Sequence, residues 1–155
     1  QKQKFKRRLV SCLDTPIFIR ELPIAAGGVG AGLWEGGEML ANFILDNKQY
    51  FSQFDKCLEL GSGVGLTGIA MSTLIPTFMS DYKLSLLDNI QYNIWMNTND
   101  IDDKQELFAS EAQFQLFEKQ SSLIKQNAKL MFLDWFDNDS RTGVEELSIQ
   151  ILPQN

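Results

Sequence analysis

The sequence predicts an α/β fold built on a doubly wound, mostly parallel sheet. Three observations carry this. A short apolar run, 56–60, passes into a turn with Gly61, Gly63 and Gly65 at alternate positions, and then into helix-forming residues. A second run, Thr77 to Asp81, follows the first helical stretch, and a third, 129–135, follows the second. Each of the later two carries an acid at its carboxyl end, Asp81 and Asp134.

With 155 residues the chain is long enough for one domain with a buried core. Hydrophobic content of 44% and charged content of 22% place it among water-soluble globular chains. The net charge of −6 argues against general nucleic-acid affinity. Lys2, Lys4, Lys6, Arg7 and Arg8 crowd the start. They fit a solvated terminus first, and a nucleic-acid arm or part of an organelle-targeting segment second. No apolar run reaches the roughly 18 residues of a membrane span, and the expected compartment is the cytoplasm. Cys12 and Cys57 make no disulfide framework, and Cys57 reads as a small buried hydrophobe. The absence of histidine removes histidine general bases and histidine-ligated metals, and no metal is expected.

Residues 1–32 read as an N-terminal segment, with one or two edge strands where Leu9, Val10, Leu13, Ile17, Phe18, Ile19, Leu22 and Ile24 loosely alternate. The glycine-rich stretch 27–32 reads as a flexible connector. Residues 33–155 form the main unit. A helix is predicted over 35–46, with Met39, Leu40, Phe43 and Ile44 as its apolar stripe and Gly36 and Gly37 weakening its start. After the glycine turn, Leu66, Ile69, Ala70 and Leu74 mark a helix that Pro76 ends. Leu84, Leu87, Ile90 and Ile94 recur at helical spacing to about Asn97. Residues 100–127 read as an acidic-then-polar insertion, in part helical through Leu107, Phe114 and Phe117, and most simply a solvated surface helix. Residues 146–152 form a fourth strand.

In a parallel sheet the carboxyl ends of the three strands lie side by side. A ligand there meets close backbone, two carboxylates and the indole of Trp135. A carboxylate suits a ribose diol, and a flat apolar face suits adenine, so the set fits an adenosine compound. Two remain open on the residues alone. Gly63, Gly65 and Gly68 spell the dinucleotide fingerprint, with Asp81 downstream as the ribose acid. S-adenosylmethionine is the rival: its sites carry an acid just before the glycines, where Glu59 stands. Each residue also has a plainer role, since a strand-end aspartate often only caps a turn.

Trp34-Glu35, the run from Cys57 to Gly68, Ser80-Asp81, Leu87-Asp88-Asn89, Asn93, Asn97 and Leu133-Asp134-Trp135 together resemble the family-16 protein lysine methyltransferases. These are seven-strand enzymes that use S-adenosylmethionine on a class I, Rossmann-like fold. The stretch from Leu40 to Gly68 is most similar to the eukaryotic elongation factor 2 lysine methyltransferase group. The resemblance implies that Trp34 packs near the cofactor and that Gly61, Ser62 and Gly63 line its methionine and ribose portions. It implies that Asp81 accepts from the ribose hydroxyls and that Asp134 and Trp135 hold the adenine. Glu59 and Gly65 complete the expected cofactor-binding set, and no catalytic residue is assigned. A protein lysine, in a translation factor such as elongation factor 2, would be the substrate. The family's next motif, an acid, two residues and an aromatic after strand 4, is not found in 144–155. The sheet is therefore expected to be incomplete, with strands 1–4 only. That fits a piece of a longer enzyme, a chain completed by a partner along 146–152, or a non-catalytic scaffold subunit.

Overall fold

The structure, a computed structural model, describes residues 7–12, 15–99, 108, 110–141 and 144. Strands β1 (Arg7–Cys12) and β2 (Thr15–Arg20) form an antiparallel pair of their own, with Arg7 opposite Arg20. Helix α1 (Ile24–Gly27) runs into a 3-10 turn (Gly28–Ala31), followed by α2 (Glu35–Asp46) and α3 (Lys48–Phe51). Then come β3 (Cys57–Leu60), α4 (Leu66–Ser72), β4 (Thr77–Asp81), α5 (Leu84–Thr98), α6 (Glu111–Asn127) and β5 (Ala128–Phe132). The sheet order is β3-β4-β5 with both pairs parallel, Cys57 beside Thr77 and Thr77 beside Ala128. This is the α/β class with helical crossovers that the strand and helix periodicities predict.

The register puts Glu59, Met79 and Leu130 on one face of the sheet. That face carries the core. Met79 joins Ile69 and Ala70 of α4, Ile90 and Ile94 of α5, and Ile124 of α6 in one buried cluster. Ile17 and Ile19 of β2 belong to the same cluster, so the N-terminal hairpin shares the core of the main unit. Each such isoleucine contributes about 1.5–3 kcal/mol by leaving water. The opposite face presents Leu58 and Leu60 of β3, Phe78 of β4 and Met131 of β5; Leu60 is exposed and the other three are half-buried. Among the described residues β3 and β5 each have one strand neighbour.

Several local expectations are corrected. The stretch 27–32 is not a slack connector: Leu22 N donates to Ala31 O at 2.9 Å and Leu33 N to Glu21 Oε1 at 2.9 Å, which closes the segment into a compact loop. Helix α6 is not a solvated surface helix, because Phe117, Gln120, Ile124 and Asn127 are buried. Helix α2 keeps its bounds despite Gly36 and Gly37, but turns Ala41 and Ile44 inward and leaves Met39, Leu40 and Phe43 exposed. Leu84 is exposed at the first position of α5, while Leu86 is buried. The third strand stops at Phe132, short of the acid, because 134–137 form a turn. Leu107 and the expected strand at 146–152 lie outside the described residues.

Candidate functional site

Strand β3 runs straight into a turn that only glycines accommodate. Gly61, Gly63 and Gly65 have φ of 64°, 56° and 83°, all left-handed. The end of β4 pins this turn: Ser62 N donates to Ser80 O at 2.9 Å, and Gly63 N donates to Asp81 Oδ2 at 3.1 Å. Gly63 also lies against the 28–31 loop, where a Cβ would stand 3.2 Å from Gly30 O. Gly65 does different work from the site role expected of it. It caps α4 and packs on α5, where a Cβ would come within 2.9 Å of Ile90 Cγ2. At Gly68 a Cβ would strike Met79 and Glu59, so this glycine lets α4 lie close on the sheet.

A cavity of about 1270 Å³ opens over the turn. Trp34, Glu59, Gly61, Ser62, Gly63, Asp81, Asp134 and Trp135 all line it; Gly65 does not. The carboxyl ends of three parallel strands bring all but Trp34 together, and Trp34 joins them from the segment before α2, 101 positions from Trp135 in the chain. Asp81 is buried, and its Oδ1 accepts from the amides of Tyr82 at 2.8 Å and Lys83 at 3.3 Å. Its carboxylate therefore shapes both the glycine turn and the start of the next loop. Asp134 turns the chain as well, with Oδ1 accepting from Phe136 N at 3.0 Å. The Trp135 indole stands beside Gly61, 3.9 Å from where a Cβ would be, and is 58% exposed. Trp34, 63% exposed, donates from Nε1 to Val29 O at 2.9 Å.

Glu59 points across the sheet face at α4, and its Oε2 is buried with no hydrogen-bond partner. Burial pushes its carboxyl up to about 7, and the charge of Asp81 adds to the rise. Ser62, the Gly68 amide and Thr67 only partly offset this. The hydroxyl of Ser62 is a second buried oxygen, with Glu59 as its neighbour and no other group bonded to it. Two buried oxygens left largely to each other beside a glycine turn are costly. They suit a ligand that brings a cationic or N–H donor. No cluster of metal-ligating side chains occurs among the described residues.

The cavity also has walls that the sequence did not single out. Gly28 and Gly30 form one side, with Lys83 Nζ standing 2.7 Å from where a Gly28 Cβ would be. Tyr82 and Phe136, both exposed, extend the aromatic rim. Leu40, Ile44, Phe51, Leu58 and Met71 make an apolar end near β3. Cys57 joins that end, its thiol pushed up by burial and then by Glu59. Two glycines at alternate positions facing a second glycine turn was the available signal for the first wall. The apolar end gave none, because its residues read as ordinary core.

Comparison with known proteins agrees with this geometry. Residues 15–121 match a family described as lysine methyltransferase. An uncharacterised protein of Dictyostelium discoideum is 36% identical over 78 residues, 48% of this chain and 21% of that protein. Protein-lysine methyltransferase METTL21E of Mus musculus is 34% identical over 70 residues, 44% of this chain and 29% of its own length. Methyltransferase-like protein 22 of Homo sapiens is 36% identical over 72 residues, 46% and 18% respectively. The chain thus spans less than a third of the length of these relatives. The matched region runs from β2 through most of α6 and contains the glycine turn, Glu59 and Asp81. The chain belongs to the lysine methyltransferase family.

Proposed function

We propose that this chain is the S-adenosylmethionine-binding part of a protein lysine methyltransferase. One observation carries the reading: Asp81 bonds the glycine turn directly while Trp135 stands beside Gly61 of the same turn. Gly61 and Gly63 would let a ligand approach the backbone. The Glu59 carboxyl and the Ser62 hydroxyl would receive the amino group of its methionine portion. Asp81 would face the ribose, and Trp135 with Asp134 the adenine. When bound, the cofactor supplies a methyl group already activated on a sulfonium.

The rest falls to the protein. A lysine amine must arrive neutral, and its ordinary pKa of about 10.4 means that it sheds a proton first. The rim of Trp34, Tyr82, Trp135 and Phe136 would shield the amine from bulk water and bind its aliphatic stem. The substrate we favour is a lysine of a cytoplasmic translation factor, elongation factor 2 first, on the motif similarity between Leu40 and Gly68.

Calorimetry tests the reading. S-adenosylmethionine and S-adenosylhomocysteine should bind in the micromolar range, and Asp81→Ala should abolish the heat. A nicotinamide dinucleotide should not compete. A wild-type chain giving no heat with either sulfur compound would sink the proposal. Transfer of labelled methyl to elongation factor 2, lost on replacing the acceptor lysine by arginine, tests the substrate.

A further inference from the structure

Helix α5 carries Asn89, Asn93 and Asn97 at four-residue spacing, and all three are fully buried. A buried amide is costly unless its oxygen and both its hydrogens find partners. These find them on the edge of β2. Asn97 Oδ1 accepts from Phe18 N at 2.9 Å, and its Nδ2 donates to Phe18 O at 2.8 Å. Asn93 Oδ1 accepts from Arg20 N at 2.8 Å, and its Nδ2 donates to Arg20 O at 3.3 Å. Asn89 Nδ2 donates to Arg20 O at 3.0 Å, and its Oδ1 accepts from Arg20 Nε at 2.7 Å. Helix side chains thus bond β2 where the backbone of another strand would.

Asn93 makes one contact that the other two do not. Its Nδ2 donates to Val64 O at 2.8 Å, in the middle of the glycine turn. The turn is otherwise held by Ser80 and Asp81 on its amide side and by its own bond from Gly65 N to Ser62 O at 2.7 Å, and its three left-handed glycines resist few conformations on their own. The Val64 carbonyl is the point where a single amide fixes the far side.

We infer that Asn93 is a positioning residue for the cofactor. It sets the glycine turn by holding Val64 O and the Arg20 backbone in one amide plane, and so couples the seating of the N-terminal hairpin to cofactor affinity. This rests on the reading of the cavity as an S-adenosylmethionine site. The coupling is reciprocal, because a ligand that favours the set turn also favours the seated strand.

A matched pair of variants separates this from simple core stability. Asn93→Leu and Asn97→Leu each keep the branched heavy-atom skeleton and strip two bonds from β2 and a third from a carbonyl, Asn93 O for the second variant, but only the first frees Val64 O. Binding of S-adenosylhomocysteine to the full 155-residue chain is measured by calorimetry, with urea unfolding alongside. Asn97→Leu should stay within about twofold of wild-type affinity, and Asn93→Leu should bind about tenfold more weakly at comparable stability, the step expected for one lost buried hydrogen bond. Equal affinities in the two variants overturn the inference. Hydrogen exchange on the wild-type chain needs no variant and decides the matter should Asn93→Leu fail to fold. Saturating S-adenosylhomocysteine should slow the Arg20 amide more than the Phe18 amide; equal slowing, or none, is the contrary result. A wild-type chain that does not bind removes the cofactor reading and this inference together, whereas binding without the Asn93 effect removes this inference alone.

Discussion

The Glu59 carboxyl lies between Gly68 and Met79 with nothing bonded to Oε2. Its pKa rises from 4.5 in a free chain to about 7 here. The folded state therefore holds the proton more tightly than the unfolded chain does. The stability from this group is fully present below about pH 4.5, falls as pH rises toward 7, and is level above that. A shift of this size corresponds to roughly 3 kcal/mol. Glu59→Gln should remove the slope: urea unfolding from pH 4.5 to 8 should find the variant gaining on wild type by a few kcal/mol as pH rises. Parallel curves would show that Glu59 is not protonated in the fold. If the ligand brings an ammonium to Glu59, binding near pH 6 should also release a proton, visible as a dependence of the binding heat on buffer. Gly68 is the steric counterpart. Gly68→Ala places a methyl on Met79 and Glu59, and should cost about 1–3 kcal/mol of stability by urea unfolding.

At the scale of elements, the strand, turn and helix of 57–72 are legible because two local signals coincide, a short apolar run and glycines at alternate positions. Strand β4 and helix α5 follow by periodicity. Helix α6 is harder. Its apolar residues are diluted by glutamines and lysines, yet Phe117 and Ile124 reach the core because α5 and β2 leave a groove for them. The asparagines of α5 entered the sequence reading only through the family resemblance, because three amides at spacing four carry no local sign of the β2 edge that makes them interior. The cavity-lining residues were legible where an acid or indole follows a strand. The 28–30 wall was not, because a glycine run carries no sign of what it packs against. The hairpin illustrates the same limit, since its isoleucines read as an edge and lie in the centre. Ile19→Ala should therefore cost about 2–5 kcal/mol. Met39→Ala, on exposed α2 surface, should stay within about 0.5 kcal/mol. Urea midpoints of the two variants compare them directly, and similar midpoints would place the hairpin outside the core.

For the whole molecule, one buried cluster joins β2, β4, α4, α5 and α6, so unfolding should be a single event. The cavity has a wider reach than that cluster. Its walls come from four separated stretches, 27–51, 57–71, 81–86 and 133–136. A ligand that touches all four binds the folded chain and not the unfolded one. At one hundred times its dissociation constant, such a ligand adds about 2.7 kcal/mol. For a chain of this size that raises the melting temperature by roughly 5–10 °C. S-adenosylhomocysteine should produce this rise in both far-ultraviolet circular dichroism and tryptophan fluorescence. The two probes report different parts: the first follows the helices, while the second follows Trp34, Trp95 and Trp135, two of which stand at the cavity rim. A rise in fluorescence alone would mean that the ligand orders the rim without engaging the core through the glycine turn. The turn touches that core through Val64 and Gly65, so a cofactor seated on it must move both signals together.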